Sequence, residues 1–143
     1  MWDGDIGSQN LKRHNYAMNS ITPHTQEISD KKRFDQIADH YARKDVIAST
    51  RLARQAIVRR AMRPVIQKMG SLGTLIDVGC GMGAQAAYLD GEFDKYIGID
   101  YSDGLVKFGK ETFADRDDIE FIVSNIKDVE IPENIADTVL VVT

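Results

Sequence analysis

Cysteine is almost absent: the single Cys80 cannot close an internal disulfide, so no disulfide framework holds this chain together. Long apolar runs are missing too. Stretches such as Val139 to Val142 reach four residues, against the roughly 20 that a membrane-spanning helix requires. With only three prolines in 143 residues and 43% hydrophobic residues, the chain is no collagen-like or wholly disordered polymer, and its length suits one ordinary domain. The first thirty residues contain no basic start followed by an apolar block, so no secretory leader is expected and a cytoplasmic location is the default. His14 and His24 stand without paired cysteines or spaced carboxylates, which predicts no metal site.

What is present divides sharply by charge. Residues 1–30 carry a net −2, residues 31–69 a net +8 and residues 70–143 a net −10, so the total of −4 describes none of them. A basic helical face beside an acidic domain is the simplest reading, and an anionic partner for the basic segment is the other. The basic segment interleaves no aromatics for base stacking, which argues against nucleic acid.

Residues 1–30 show neither a period of 2 nor of 3.6 and read as a disordered arm. From Ser29 or Asp30 as a cap, Phe34, Ile37, Ala38 and Tyr41 recur at helical spacing. A second helical stretch covers Ile47 to Met69, and Pro64 is expected to kink or divide it. Arg51 and Arg54 fall on the same helix face as Val58, Ala61, Met62 and Val65. Either the helix changes direction near residue 55 or two guanidinium groups border a pocket. Arg59, Arg60 and Arg63 spread around the axis and read as solvent-facing.

The pattern changes after Gly70. Leu75 to Val78 reads as a strand, Ala84 to Leu89 as a helix, Tyr96 to Asp100 as a strand, and Ser102 as the cap of a further helix. Ile119 to Val123 and Ala136 to Thr143 complete four strands. Strands alternating with helices predict an α/β fold: right-handed crossovers building a Rossmann-like, doubly wound parallel sheet covered on both faces, preceded by the N-terminal helices.

The turn Asp77-Val78-Gly79-Cys80-Gly81-Met82-Gly83-Ala84 joins the first strand to its helix. Glycines there permit positive φ and close backbone approach, and the free N–H groups of the helix start are expected to face the same space. Asp100 closes the next strand 21 residues after Gly79, where a carboxylate can accept from both ribose hydroxyls. Gly79-x-Gly81-x-x-Ala84 also fits a dinucleotide fingerprint, so an NAD-binding oxidoreductase is compatible with the spacing. Asp77 distinguishes the two: a carboxylate at the turn repels a diphosphate but suits an adenosyl ligand bearing an ammonium and a sulfonium.

Leu75 to Gly83 resembles the first motif of class I S-adenosylmethionine-dependent methyltransferases, and Tyr96-Ile97-Gly98-Ile99-Asp100-Tyr101-Ser102 resembles their second. Phe34 to Tyr41 is similar to the entry helix of the small-molecule branch that includes quinone-biosynthesis methyltransferases. The resemblance implies that Asp77 and the backbone of Gly79, Cys80, Gly81 and Gly83 hold the methionine part of S-adenosyl-L-methionine. It places Asp100 at the ribose and Tyr101 against the adenine. Where the family has Gly-Asp-Ala after the third strand, this chain has Ser124-Asn125-Ile126; Asn125 can accept through its side-chain oxygen and Ile126 can donate its amide.

The family fold has seven strands in the order 3-2-1-4-5-7-6, and this sequence supplies the first four. The chain thus reads as the cofactor-binding half of a longer protein, or as a truncated product that needs a partner. Its apolar fourth strand is left as an open edge, able to take a partner or a second copy. Methyl transfer to a small-molecule acceptor is the leading expectation and a non-catalytic cofactor-binding or interaction module the first alternative, with a nucleic-acid methyltransferase and an NAD-dependent oxidoreductase behind it. No catalytic base is assigned; His40 is a candidate proton acceptor and Tyr41 a candidate pocket wall. Cys80, with no basic neighbour, reads as a packed thiol.

Overall fold

The computed structural model describes residues 23–44 and 48–142. The element order is α1 (Pro23–Lys44), α2 (Ala48–Met69), β1 (Thr74–Val78), α3 (Ala84–Tyr88), β2 (Lys95–Asp100), α4 (Asp103–Thr112), β3 (Ile119–Val123) and β4 (Thr138–Val141). The four strands form one parallel sheet in the order β3-β2-β1-β4. The strand order reverses at β1, with β2 paired on one side and β4 on the other. In a parallel sheet such a reversal leaves a crevice beyond the carboxyl ends of the strands.

Side chains alternate across the sheet, as strand geometry requires. Leu75, Tyr96, Phe121 and Leu140 point to one face, where they join Leu89 of α3, Val106 of α4 and Val58, Met62, Val65 and Ile66 of α2. Ile76, Ile97 and Ile99 point to the other, against Val129, Ile135 and Ala136 of the β3–β4 connection. The expected cover on both faces is therefore built differently on the second face, where the described residues supply a loop and no helix. Val139 and Val141 of β4 stand 60% and 62% exposed there, an open apolar edge.

Three sequence expectations about the helices are corrected. Helix α1 begins at Pro23, so residues 23–30 are helical and not part of an arm; residues 1–22 of that arm lie outside the described residues. Proline is suited to the first helical turn, whose N–H groups have no intrahelical partner. Pro64 does not divide α2, which is one helix to Met69. The lost hydrogen bond and ring clash cost ~3 kcal/mol, and apolar packing by Met62, Val65 and Ile66 on either side of Pro64 offsets that cost. Arg59 is not simply solvent-facing: its Nε donates to the carbonyl of Tyr88 at 2.7 Å, and its other nitrogens reach Asp90 O and Glu92 at 3.2 Å. Short α3 ends there, and its carbonyls need donors.

Candidate functional site

The loop after β1 turns back sharply beneath the end of β2. Gly79 has φ +74°, and a Cβ there would point into open space. Its amide and that of Cys80 both donate to the carbonyl of Ile99, at 2.8 and 3.2 Å. The Gly81 amide donates to Asp100 Oδ2 at 2.8 Å, while Asp100 Oδ1 accepts from Ser102 N at 2.9 Å. These three loop amides are thus engaged within the protein, in contrast to the free donors expected there. What they achieve is to fix Asp100: its two oxygens are each held by a backbone N–H, with lone pairs left for a ligand.

Gly83 has a packing role. It caps α3 in the left-handed region at φ +81°, and a Cβ there would fall 2.5 Å from Phe121 Cζ. Cys80 is buried, and a side chain at Gly98 would meet its sulfur at 2.7 Å. Burial, with the charges of Asp77 and Asp100 adding to it, pushes the Cys80 thiol far above its ordinary range. It is no nucleophile.

Asp77 is fully buried in β1. Its Oδ2 accepts from the Tyr96 hydroxyl at 2.6 Å, while Oδ1 has no partner. Burial raises its pKa from 3.8 to about 6; the Tyr96 hydrogen bond opposes the rise, and the nearby Asp100 charge adds to it. Tyr96 was not among the residues singled out from sequence. An isolated tyrosine on a strand reads as core, and its pairing with Asp77 arises from the β1–β2 register, in which Leu75 faces Tyr96 and Asp77 faces Gly98.

Beyond the strand ends lies a cavity of about 390 Å³. Val78 and Gly79 from β1 and its loop, Ile99, Asp100 and Tyr101 from β2, Ser124, Asn125 and Ile126 after β3, and Val141 and Val142 from β4 line it. Glu27 and Asp30 of α1 complete the wall. Of the residues predicted for the site, Gly79, Asp100, Tyr101, Asn125 and Ile126 come together at this surface. Asp77, Cys80, Gly81 and Gly83 do not line it; they lie under or within the loop and shape it. Asn125 Oδ1 accepts from the Lys127 amide at 3.0 Å, which fixes the turn carrying Ile126.

Sequence reasoning missed Glu27 and Asp30. The only signal was two acids one helical turn apart, Glu27 in a stretch read as unstructured and Asp30 as a candidate helix cap. They make the wall acidic: Glu27, Asp30 and Asp100 line the cavity, and no Lys or Arg is among its described lining residues. Lys127 pairs with Glu27, and Lys31 with Asp35 and Asp103.

The remaining candidates fall elsewhere. His40 is exposed on α1, and the Tyr41 side chain lies outside the described residues. Arg51 and Arg54 are exposed, and neither borders the cavity. Helix α2 is unbroken through residue 55, and among its described residues the apolar packing against the core begins at Val58. A wider, more open groove of about 740 Å³ runs along Arg59, Arg60, Arg63, Ile66 and Gln67 to Glu92, away from the glycine loop.

Residues 76–143 match the family model of a methyltransferase domain. No curated protein matches the chain in sequence. Among solved structures, the DhpI–SAM–HEP complex is similar at 21% identity and TM-score 0.60, over 84% of this chain and 52% of that one. Phosphoethanolamine N-methyltransferase 1 of Haemonchus contortus, in complex with phosphoethanolamine and S-adenosylhomocysteine, is similar at 18% identity and TM-score 0.60, over 88% of this chain and 27% of that one. A Methanococcus maripaludis protein provisionally assigned as an S-adenosyl-L-methionine-dependent methyltransferase gives 22% identity and TM-score 0.53, over 79% of this chain and 48% of that one. This chain spans about half or less of each of those proteins. The likeness is one of fold: a parallel sheet with flanking helices, of the Rossmann-like kind those methyltransferases share.

Proposed function

We propose that this chain holds S-adenosylmethionine in the cavity bounded by Gly79, Asp100 and Asn125, as the cofactor-binding part of a methyltransferase that acts on a small-molecule acceptor. The carrying observation is the charge of the wall. Three carboxylates line a cavity at the point where the strand order reverses, with no Lys or Arg among its described lining residues. Glu27 is paired with Lys127, so among the described residues Asp30 and Asp100 carry the unpaired negative charge of the wall, and a hollow of one sign favours a ligand of the other. A sulfonium with an ammonium tail is attracted, while a dinucleotide's diphosphate is repelled. A cavity of about 390 Å³ is also in the range that small cofactors occupy.

The residues present suit the cofactor. Asp100, fixed by two backbone amides, is set to accept from the ribose hydroxyls. Tyr101, Ile126, Val141 and Val142 offer apolar surface for the adenine, and the open space at Gly79 admits close approach of the methionyl end. Buried Asp77 contributes negative charge from beneath the loop. When bound, the cofactor supplies an activated methyl group for in-line displacement. The protein's part is to bind, align and exclude water. The similarity of Phe34 to Tyr41 to the entry helix of the quinone-biosynthesis-like branch supports a small acceptor. So does the fold's likeness to an enzyme crystallised with phosphoethanolamine.

The test is calorimetric titration of the protein with S-adenosylhomocysteine and, separately, with NADH. Tighter binding of S-adenosylhomocysteine is expected; tighter binding of NADH overturns the reading. Turnover of S-adenosylmethionine with small acceptors then separates an enzyme from a non-catalytic cofactor-binding module.

A further inference from the structure

Helix α1 forms a wall of the cavity, yet among the described residues none of its side chains joins either apolar cluster. Its attachment is polar and local. Asp35 Oδ1 accepts from Ser102 Oγ at 2.7 Å and from the Gly104 amide at 3.2 Å, at the start of α4. Lys31 bonds Asp35 at 3.2 Å and also reaches Asp103. Phe34 meets Tyr101 edge-on, with ring centroids 6.1 Å apart. At the other end of the helix wall, Lys127 binds Glu27.

Ser102 is the junction of two networks. Its hydroxyl donates to Asp35 and accepts from the Leu105 amide as the cap of α4, while its own amide donates to Asp100. Asp100 in turn holds the Gly81 amide. A continuous chain of hydrogen bonds therefore runs from α1 through Ser102 and Asp100 into the glycine loop. Ser102 is fully buried, so water cannot readily replace Asp35 as its acceptor. Burial acts to raise the Asp35 pKa, but the bonds from Ser102, Gly104 and Lys31 outweigh it and hold the carboxyl below its ordinary range.

We infer that Asp35 is a positioning residue for the cavity: by clamping α1 onto the first turn of α4 it sets Glu27 and Asp30 as the outer wall and, through Ser102, fixes the orientation of Asp100. The inference rests on the cofactor reading for its consequence, but the clamp itself is a property of the empty protein. The sequence offers no hint of it, since 67 residues separate Asp35 from Ser102. Because none of the described side chains of α1 joins either apolar cluster, loosening it is expected to alter ligand binding without unfolding the sheet.

The experiment compares wild type, Asp35→Ala and Asp35→Asn. Asparagine keeps an oxygen acceptor for Ser102 and Gly104; alanine removes it. In titrations with S-adenosylhomocysteine, Asp35→Ala is expected to bind about tenfold more weakly, the loss of roughly one hydrogen bond, and Asp35→Asn within about threefold of wild type. The urea midpoint is expected to fall modestly in Asp35→Ala, which leaves the buried Ser102 hydroxyl without its acceptor, and by less in Asp35→Asn. In the ligand-free protein, amide exchange at Gly104 is expected to speed at least tenfold in Asp35→Ala. Unchanged exchange at Gly104 overturns the clamp. Faster exchange with wild-type affinity overturns the positioning role. Asp35→Asn as weak as Asp35→Ala, with both midpoints lowered to the same extent, reduces Asp35 to a fold-stabilising residue. A wild type that does not bind S-adenosylhomocysteine sinks the cofactor reading and the positioning role together, while the exchange result still decides the clamp.

Discussion

Asp77 is expected to make the protein less stable at neutral pH than it would be without the charge. The carboxylate is fully buried, one oxygen is bonded by Tyr96 and the other has no partner. Its pKa is raised from 3.8 to about 6, with burial as the leading cause. Between those values the folded protein holds a proton that the unfolded chain has released. Asp77 therefore contributes stability that is fully present below about pH 4 and is lost as pH rises through about 6. The gap corresponds to ~3 kcal/mol of folding free energy at pH 7.5. Asp77→Asn keeps an oxygen for the Tyr96 hydroxyl and removes the charge. The new amide leaves its N–H groups unpaired, costing ~1–2 kcal/mol, so a net gain of ~1–2 kcal/mol is expected.

The assay is urea unfolding of both proteins from pH 4.5 to 7.5, reading the difference between them. The difference isolates Asp77 from Asp35 and Asp118, whose lowered pKa values act in the opposite sense, their stabilisation being lost as pH falls. Asp77→Asn should go from a disadvantage of up to ~1 kcal/mol at pH 4.5 to its full gain above pH 7. A variant less stable than wild type at pH 7.5, or a difference that does not change with pH, would refute the argument. If the cavity takes a positively charged cofactor as proposed, the same variant is expected to bind it less tightly.

Three further substitutions probe the packing around the loop. Gly83→Ala places a Cβ 2.5 Å from Phe121 Cζ at φ +81°, and overpacking with left-handed strain should cost ~2–4 kcal/mol in denaturant unfolding. Gly98→Ala meets the Cys80 sulfur at 2.7 Å; the loss, ~1–3 kcal/mol, should be partly recovered in the double variant with Cys80→Ala, and a purely additive double variant would count against the contact. Arg59→Ala removes bonds to the Tyr88 and Asp90 carbonyls and to Glu92, an expected loss of ~1–2 kcal/mol. Arg59→Lys should not restore it, because an ammonium cannot reproduce the planar fork.

The elements that position the site were legible where local rules suffice. Alternation and glycine turns marked β1, β2 and β3 to within a residue, and Ser102 caps α4 through a bond from the Leu105 amide. The strand order β3-β2-β1-β4 agrees with the order the family resemblance implied. What escaped depends on contacts across long sequence separations. Asp35 meets Ser102, and Arg59 meets Tyr88, only once the helices are packed. The first turns of α1 lacked an apolar stripe because that end of the helix packs through polar groups, so periodicity could not find it. Gly83 and Gly79 look alike in sequence, yet one faces Phe121 and the other open space. Only the three-dimensional neighbour tells a packing glycine from one that borders the cavity.

The central claim is that the hollow beside Gly79 and Asp100 receives a sulfonium nucleoside. The most direct measurement is the amide nitrogen–proton spectrum of the labelled protein during titration with S-adenosylmethionine. The account predicts saturable shifts concentrated at Gly79, Asp100, Tyr101, Asn125 and Ile126. An unchanged spectrum, or shifts gathered along Arg59, Arg60 and Arg63 of α2, would contradict it.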